Sequence, residues 1–451
     1  MNKKIFTFLC FFLTSLFILF ILSCGKQEVN ENEISLLFRS DPGFKGGRTE
    51  GIGPDWDLIQ DIVAEKMPGT TLKLTPIQAP EGEYFTKVAL ALRNDSSYDI
   101  VSEDSFIMQS DVAAGLLEPL NISDWEDWEK FYPGSRESSI VDGKVYTIPW
   151  NTDARGLWFS KKLLKMVGIS EDRQPKNWND ILDTARKIKA LGNVDGKEVI
   201  PFFANLSRAS GEATTMQTFL MLLYGTDDKL YENNKWVVES QGIMDSLRFL
   251  ETLRKEDLIL PNDILLTASL ASYVEPIGLA GNIGIRLDGT WIAGSYPALG
   301  LTNWREVYGF TGMPSKEGKA DNPFVTFQGG WGFSISAKSL KKEKALEVIK
   351  IITSFDSLNR IYQVSGHIST REDVAQTPEY QSIGVNGEAS KFLEWGHYRP
   401  TTEAYPSIST EIQVMVENVM SGMSAEEAMK IFSQNVESIV GKENIIKKSY
   451  N

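Results

Sequence analysis

Between residues 34 and 101 the chain alternates short apolar runs with helical patterns, and this rhythm limits the folds open to it more than any other feature. Residues 34–38 are apolar and stop at Arg39-Ser40-Asp41-Pro42-Gly43, the form of a buried strand ending in a turn. Trp56, Ile59, Ile62 and Val63 then recur at helical spacing behind Asp55, which is placed to cap the helix, and Pro68-Gly69 ends it. Residues 71–77 predict a second strand, Tyr84, Val88 and Leu92 a second helix, and 99–101 a third strand. Alternation at this interval predicts a mostly parallel sheet with helices on its faces. Ligands of such sheets sit beyond the carboxyl ends of the strands, which makes 39–41 and 102–105 the expected binding rim.

The pattern resumes after Pro149. A strand at 156–159 and a helix at 161–167 are followed by helical patterns at 178–191, 211–224 and 242–253. Strand-like pieces at 283–287 and 333–336 precede an amphipathic helix at 338–354 and a helical end at 411–420 and 424–439, where Ser424 and Glu427 fit a capping box. A chain of 451 residues is expected to hold two or three folding units. The expected class is α/β, two lobes connected more than once.

Composition removes several functions. With 60 Asp+Glu against 46 Lys+Arg, a net charge of −14 and no basic domain, nucleic acid is not an expected partner. His367, His397, Cys10 and Cys24 are the only histidines and cysteines, too few for zinc sites, thiol redox pairs or histidine-based triads. No cofactor, metal or catalytic residue is assigned. Gly46-Gly47 and Gly51-Ile52-Gly53 lack the Gly-Lys-Ser/Thr ending of a phosphate loop.

Lys3 and Lys4 lead into an uncharged apolar run at 5–22, and Ser23 then stands before Cys24. This is the layout of an export signal, 1–23, with a membrane anchor as the alternative reading of the same run. Ile21-Leu22-Ser23-Cys24-Gly25 resembles the lipobox of bacterial lipoproteins, with Ile21 where leucine is usual. That resemblance implies lipids on Cys24, which hold a protein at a membrane surface, and a polar tether over 24–33.

Three tryptophans stand beside turn residues: Trp150 after Ile148-Pro149, Trp291 after Asp288-Gly289-Thr290, and Trp331 after Gln328-Gly329-Gly330. Flat rings next to carboxylates suit sugars, whose C–H faces stack while their hydroxyls seek acceptors. Asp104, Asp153 and Asp288 are the nearby acids. Each feature has a plainer reading: rings packed in a core, aspartates capping turns. Arg39 and Arg399 suit an anionic ligand group, although an arginine at a strand end more often pairs with a neighbouring acid. Trp125-Glu126-Asp127-Trp128 is read as anchoring a surface helix, and Asn177 as a helix cap.

Taken together the chain resembles the extracellular solute-binding proteins of sugar ABC transporters, the maltose-binding-protein-like group. The segment Asp142-Gly-Lys-Val-Tyr-Thr-Ile-Pro-Trp-Asn-Thr-Asp-Ala-Arg-Gly-Leu-Trp-Phe-Ser-Lys161 is similar to the first crossover between lobes, with Gly115-Leu-Leu-Glu-Pro-Leu120 as its lead-in. Gly281-Asn-Ile-Gly-Ile-Arg-Leu-Asp-Gly-Thr-Trp291 resembles the strand and turn of a ligand-stacking tryptophan, and Gly329-Gly-Trp-Gly-Phe-Ser-Ile-Ser336 the return to the first lobe. The resemblance spans residues 34–440 and implies a hinged, two-lobe periplasmic-binding fold. Its lobes would be 34–150 with 331–364, and 151–330 with 365–451. It implies ligand contacts from Asp104, Trp150, Asp153, Trp291, Gly330, Trp331, Arg399 and Tyr405, and membrane permease subunits as partners of an exported, monomeric protein. Arg39 and the segment after it depart from the family pattern.

The reading that follows is capture of a sugar between two lobes for import. A secreted carbohydrate-active enzyme using a carboxylate pair stays open, as does the same fold holding a peptide, polyamine or anion.

Overall fold

The structure is a computed structural model. It describes residues 30–40, 47–48, 52–79, 81–94, 98–171, 174–267, 269–319, 321–400 and 402–450. The expected export signal at 1–23, Cys24, most of the expected 24–33 tether and Asp41-Pro42-Gly43 lie outside the described residues.

In chain order, the first half contains β1 (Glu33–Ser40), α1 (Pro54–Lys66), β2 (Thr71–Gln78), α2 (Glu81–Asn94), β3 (Ile100–Asp104), α3 (Met108–Ala113), β4 (Leu117–Glu118), α4 (Pro133–Glu137) and β5 (Thr147–Thr152). A second series follows: β6 (Arg155–Ser160), α5 (Trp178–Lys189), β7 (Ile200–Phe203), a π-helical turn (Thr214–Phe219), α6 (Gln241–Lys255), β8 (Ile283–Gly289), β9 (Tyr308–Lys319) and β10 (Asn322–Phe327). The chain returns through β11 (Gly330–Ser336), α7 (Lys342–Ile352) and α8 (Phe355–Ser365) and ends with β12 (Gly396–His397), α9 (Tyr405–Met420) and α10 (Ala425–Val440).

Local chemistry accounts for several boundaries. Asn177 accepts the Asp180 N–H at 3.0 Å and Ser424 the Glu427 N–H at 3.2 Å, as N-caps do. Asp55 is not the cap of α1: Gly53 stands there, Pro54 opens the first turn, and burial pushes the Asp55 carboxyl up to about 6. The expected helix at 211–224 is broken into a π-helical turn and a short α-helix. There the Thr214 hydroxyl donates to Ser207 O at 2.7 Å and the Thr215 hydroxyl to Ser409 O at 3.1 Å, bonds that hold the turn out of regular register.

The first sheet has the order β2-β1-β3-β11-β4, with β5 also on β11. Only β1, β2 and β3 are parallel; β11 runs antiparallel to β3, β4 and β5. The expectation of a mostly parallel sheet thus holds for the alternating β-α-β stretch alone. Strand β11 comes from the other lobe and enters at the cleft end, opposite in sense to strands that finish there. The second sheet, β7-β8-β6-β9-β10-β12, is likewise mixed.

Each sheet has its own core. Phe38, Ile59, Ile62, Ile100, Phe333, Val348 and Ile352 fill one face of the first, Tyr84, Phe85, Val88 and Val101 the other. A larger cluster built on α5, α6, α9 and α10 fills the second lobe. One part of the expected division is corrected: residues 369–381 do not pack with the second lobe. Val374, Ala375 and Tyr380 sit in the first core, and buried Arg371 pairs with Asp127 at 2.7 Å and Asp373 at 2.8 Å. Trp125 and Trp128 pack against Phe131 beside that pair, around a 3-10 turn, as surface anchors. Among the described residues no helix is long and apolar enough to cross a membrane.

Candidate functional site

Strand register assembles the cleft end of the first sheet. Trp331 of β11 lies opposite Asp104 on one side and Asn151 on the other, and Gly330 lies opposite Thr152. Gly330 has φ +137°, and a Cβ there would stand 2.3 Å from Asn151 O, so only glycine fits the crossing. The two crossover strands are tied by the Thr152 hydroxyl, which donates to Gly329 O at 2.8 Å.

Asp104 ends β3 at 6% exposure. Its Oδ1 accepts the Phe106 N–H at 2.9 Å and Arg399 Nη2 at 2.8 Å. The same Nη2 donates to Ser105 Oγ at 2.9 Å, and the guanidinium lies 5.1 Å from the centre of the Phe106 ring. Arg399 belongs to the second lobe, where its Nη1 is 3.5 Å from Glu212 Oε1. Glu212 in turn accepts the Tyr405 hydroxyl at 2.6 Å and the Ser409 hydroxyl. Burial weighs against the Arg399 charge, but the opposed charges of Asp104 and Glu212 outweigh it. Burial raises the Glu212 carboxyl, against the pull of Arg399 and its two hydroxyl donors.

A second acid–arginine pair follows on the crossover. Asp153 Oδ1 accepts the Gly329 N–H at 2.9 Å and pairs with Arg155, whose Nη1 also donates to Phe327 O at 2.9 Å. Arg155 lies over Trp291, 5.1 Å from the ring centre. The ring crosses Gly289, where a Cβ would stand 1.9 Å from a ring carbon, and it remains half-buried. At Gly329 the two pairs meet: a Cβ there would lie 3.0 Å from Met216 Cε, 3.3 Å from Arg399 Nη2 and 3.5 Å from Asp153 Oδ1.

The structure therefore brings together Asp104, Asp153, Gly330, Trp331, Arg399 and, through Arg155, Trp291. Tyr405 is 1% exposed and reaches the group only through Glu212, so it positions rather than contacts. Trp331 is half-buried, with one neighbour stacked, Phe85 at 6.1 Å, and Tyr84 edge-on at 5.6 Å.

Two expected ligand contacts are corrected. Trp150 is 2% exposed, stacked on Phe333 at 5.5 Å with Trp56 and His367 edge-on, so its ring is core. Burial also pushes that His367 down to about 4, against the pull of Asp153. Asp288 is 3% exposed and turned to Arg286, with Oδ2 2.7 Å from Nε and 2.6 Å from Nη2. It is an internal ion pair of the second lobe. Arg39 is half-buried in β1, paired in register with Ile77, and its charge acts on Tyr84 together with those of Glu103 and Asp104.

Glu212, Arg155 and Met216 were not among the expected contacts. Glu212 opens a run that reads as an apolar helix and carries no motif. The arginine was legible: alternate residues of a strand share a face, so Asp153 and Arg155 are placed to pair. Among the described residues no group of three metal-ligating side chains occurs.

Known proteins share this architecture. A putative ABC transporter periplasmic-binding protein of Escherichia coli K12 is 23% identical over 81% of this chain and 85% of its own length. Among solved structures, an ABC transporter solute-binding protein of Thermotoga lettingae bound with α-D-tagatose is 23% identical, with a TM-score of 0.78 over 91% of this chain and 100% of that one. A maltose-bound MalE3 of T. maritima is 20% identical, with a TM-score of 0.74 over 90% and 100%. A family model matches residues 56–355, well over half of the chain, and by that match the chain belongs to the bacterial extracellular solute-binding protein family.

Proposed function

We propose that this protein is the substrate-binding component of an ABC importer, capturing a sugar between its lobes and handing it to a permease. The observation that carries the reading is the meeting of Asp104–Arg399 and Asp153–Arg155 at Gly329, with the half-exposed Trp291 ring beyond. Carboxylates held in place by arginines keep lone pairs for hydroxyl donors, and an aromatic ring gives sugar C–H groups a surface to pack on. The tagatose and maltose of the two structural neighbours agree with this chemistry. Roles follow by position: Asp104 and Asp153 accept hydroxyls, Arg399 donates, Trp291 and Trp331 flank, and Gly330 lets the crossovers meet.

The protein binds without catalysing. A glycosidase needs one of two carboxyls as a proton donor, whereas both acids here are engaged by arginines. The test is thermal melting of the protein against mono- and oligosaccharides, polyamines, peptides and sugar acids. A ligand at 100 times its dissociation constant stabilises by about 2.7 kcal/mol. We expect a neutral sugar to shift the melt and to be recovered unaltered, and Trp291→Ala to weaken it about tenfold or more. Consumption of the sugar would establish an enzyme instead.

Attachment to the bacterial membrane through lipid on Cys24 rests on the lipobox-like 21–25 segment. Wild-type protein is expected in the detergent phase of a Triton X-114 extraction and a Cys24→Ser protein in the aqueous phase; equal partitioning would remove the anchor.

A further inference from the structure

The Tyr398-Arg399 segment does more than contribute a donor, because it joins the lobes. It leaves β12, which is bound to β10 through Phe327↔His397, and the Tyr398 hydroxyl donates to Gln328 Oε1 at 2.7 Å. Both anchors lie on the second-lobe side. From there the Tyr398 ring covers Gly134 of α4 in the first lobe, where a Cβ would stand 2.5 Å from a ring carbon. One residue on, Arg399 reaches Asp104 and Ser105 at 2.8 and 2.9 Å. Phe106, under that guanidinium, packs against the cores of both lobes. At this side of Gly329 the lobes are in contact through ring, ion pair and apolar side chain. Asp153, also beside Gly329, pairs with Arg155, which lies over the half-buried Trp291.

Resting on the sugar-binding reading above, we infer that Tyr398 and Arg399 make the ligand slot blind at one end, so that the protein reads a terminus of its sugar. The terminal unit abuts Arg399, and the rest of the ligand extends past Asp153 toward Trp291. A ring-closed sugar has no terminus to offer, and a chain blocked at the recognised end cannot seat. The wall is a matter of shape and is independent of which hydroxyls Asp104 and Asp153 accept.

The experiment measures binding by calorimetry on the full chain, with linear gluco-, manno- and xylo-oligosaccharides of one to six units. Cyclic maltohexaose and linear sugars carrying 2-aminobenzamide at the reducing end or a benzylidene group at the other are measured in parallel. Expected is at least one linear series that binds, with affinity changing less than threefold on lengthening, one terminal block lowering affinity a hundredfold or more, and the other tolerated. Cyclic maltohexaose should not bind. Tyr398→Ala keeps the Arg399 ion pair and is expected to recover tenfold or more of the loss at the blocked end. Tolerance of both blocks, cyclic maltohexaose bound as tightly as a linear sugar, or no recovery in Tyr398→Ala would overturn the blind end while leaving sugar capture standing. No binding of any carbohydrate would overturn both.

Discussion

Glu103 is a buried carboxyl set among other acids. It sits beside Asp104 at 2% exposure, and its carboxyl shares a hydrogen bond with that of Asp111. It borders a cavity of about 20 Å³, room for one water, with Thr147 and Asn151. Burial first, then the charges of Asp111 on α3 and of Asp104, push its carboxyl well above the usual range. Burial also pushes Asp111 up to about 6, against the pull of Arg93 on α2. Tyr84 of α2 faces the same acid and Arg39. Both folded-state carboxyls are raised above their unfolded values, so the folded chain holds more protons between about pH 4 and pH 6 and beyond. Their contribution is complete below pH 4 and is lost as pH rises through the folded values. Burial of His367 acts the other way, costing stability as pH falls from 6.5 to about 4. Glu103→Gln keeps the shape and removes one titration. It should raise stability at pH 8 relative to pH 5 compared with wild type, measured by urea unfolding at both values. An unchanged difference would mean that the pair does not titrate in this window.

At the scale of elements, what could be read from the sequence divides along a physical line. The β1-α1-β2-α2-β3 stretch was legible because both periods repeat locally and Pro68-Gly69 punctuates them. The antiparallel β5 and β11 were not, since the direction of a strand depends on where the chain has been, and both come through the crossover between lobes. The same distinction governs the site. Asp104, Asp153 and Arg399, expected from motif position, come together around Gly329, and Arg155 was within reach through its alternate-residue spacing. Trp150 misled because Pro149 looked like a turn, whereas every residue of β5 is buried and the proline lies within the strand. Glu212 was hidden because its role comes from a π-helical turn fixed by Ser207 and Ser409, one of them nearly two hundred residues away in sequence.

For the whole molecule, the Asp104–Arg399 pair is a charged contact that bridges the lobes without any ligand. A ligand shifts that balance only by its differential affinity for the two arrangements, so an ion pair already bridging the cleft lowers what the ligand must supply. Removing the Asp104 charge leaves Arg399 buried with Ser105 and, more distantly, Glu212, and breaks the tie on the first-lobe side alone. The consequence can be followed by distance because both cysteines, Cys10 and Cys24, precede β1. A chain beginning at residue 25 is therefore cysteine-free and accepts spin labels at Glu137 and Glu394, exposed positions on the two lobes beside the Gly134–Tyr398 contact. Without ligand, wild type should show a dominant short distance. Asp104→Asn should move the population about tenfold toward longer distances, the equivalent of about 1.4 kcal/mol. Identical distributions in the two proteins would show that the lobes are held by Phe106 and Tyr398 packing, with the ion pair serving the ligand only.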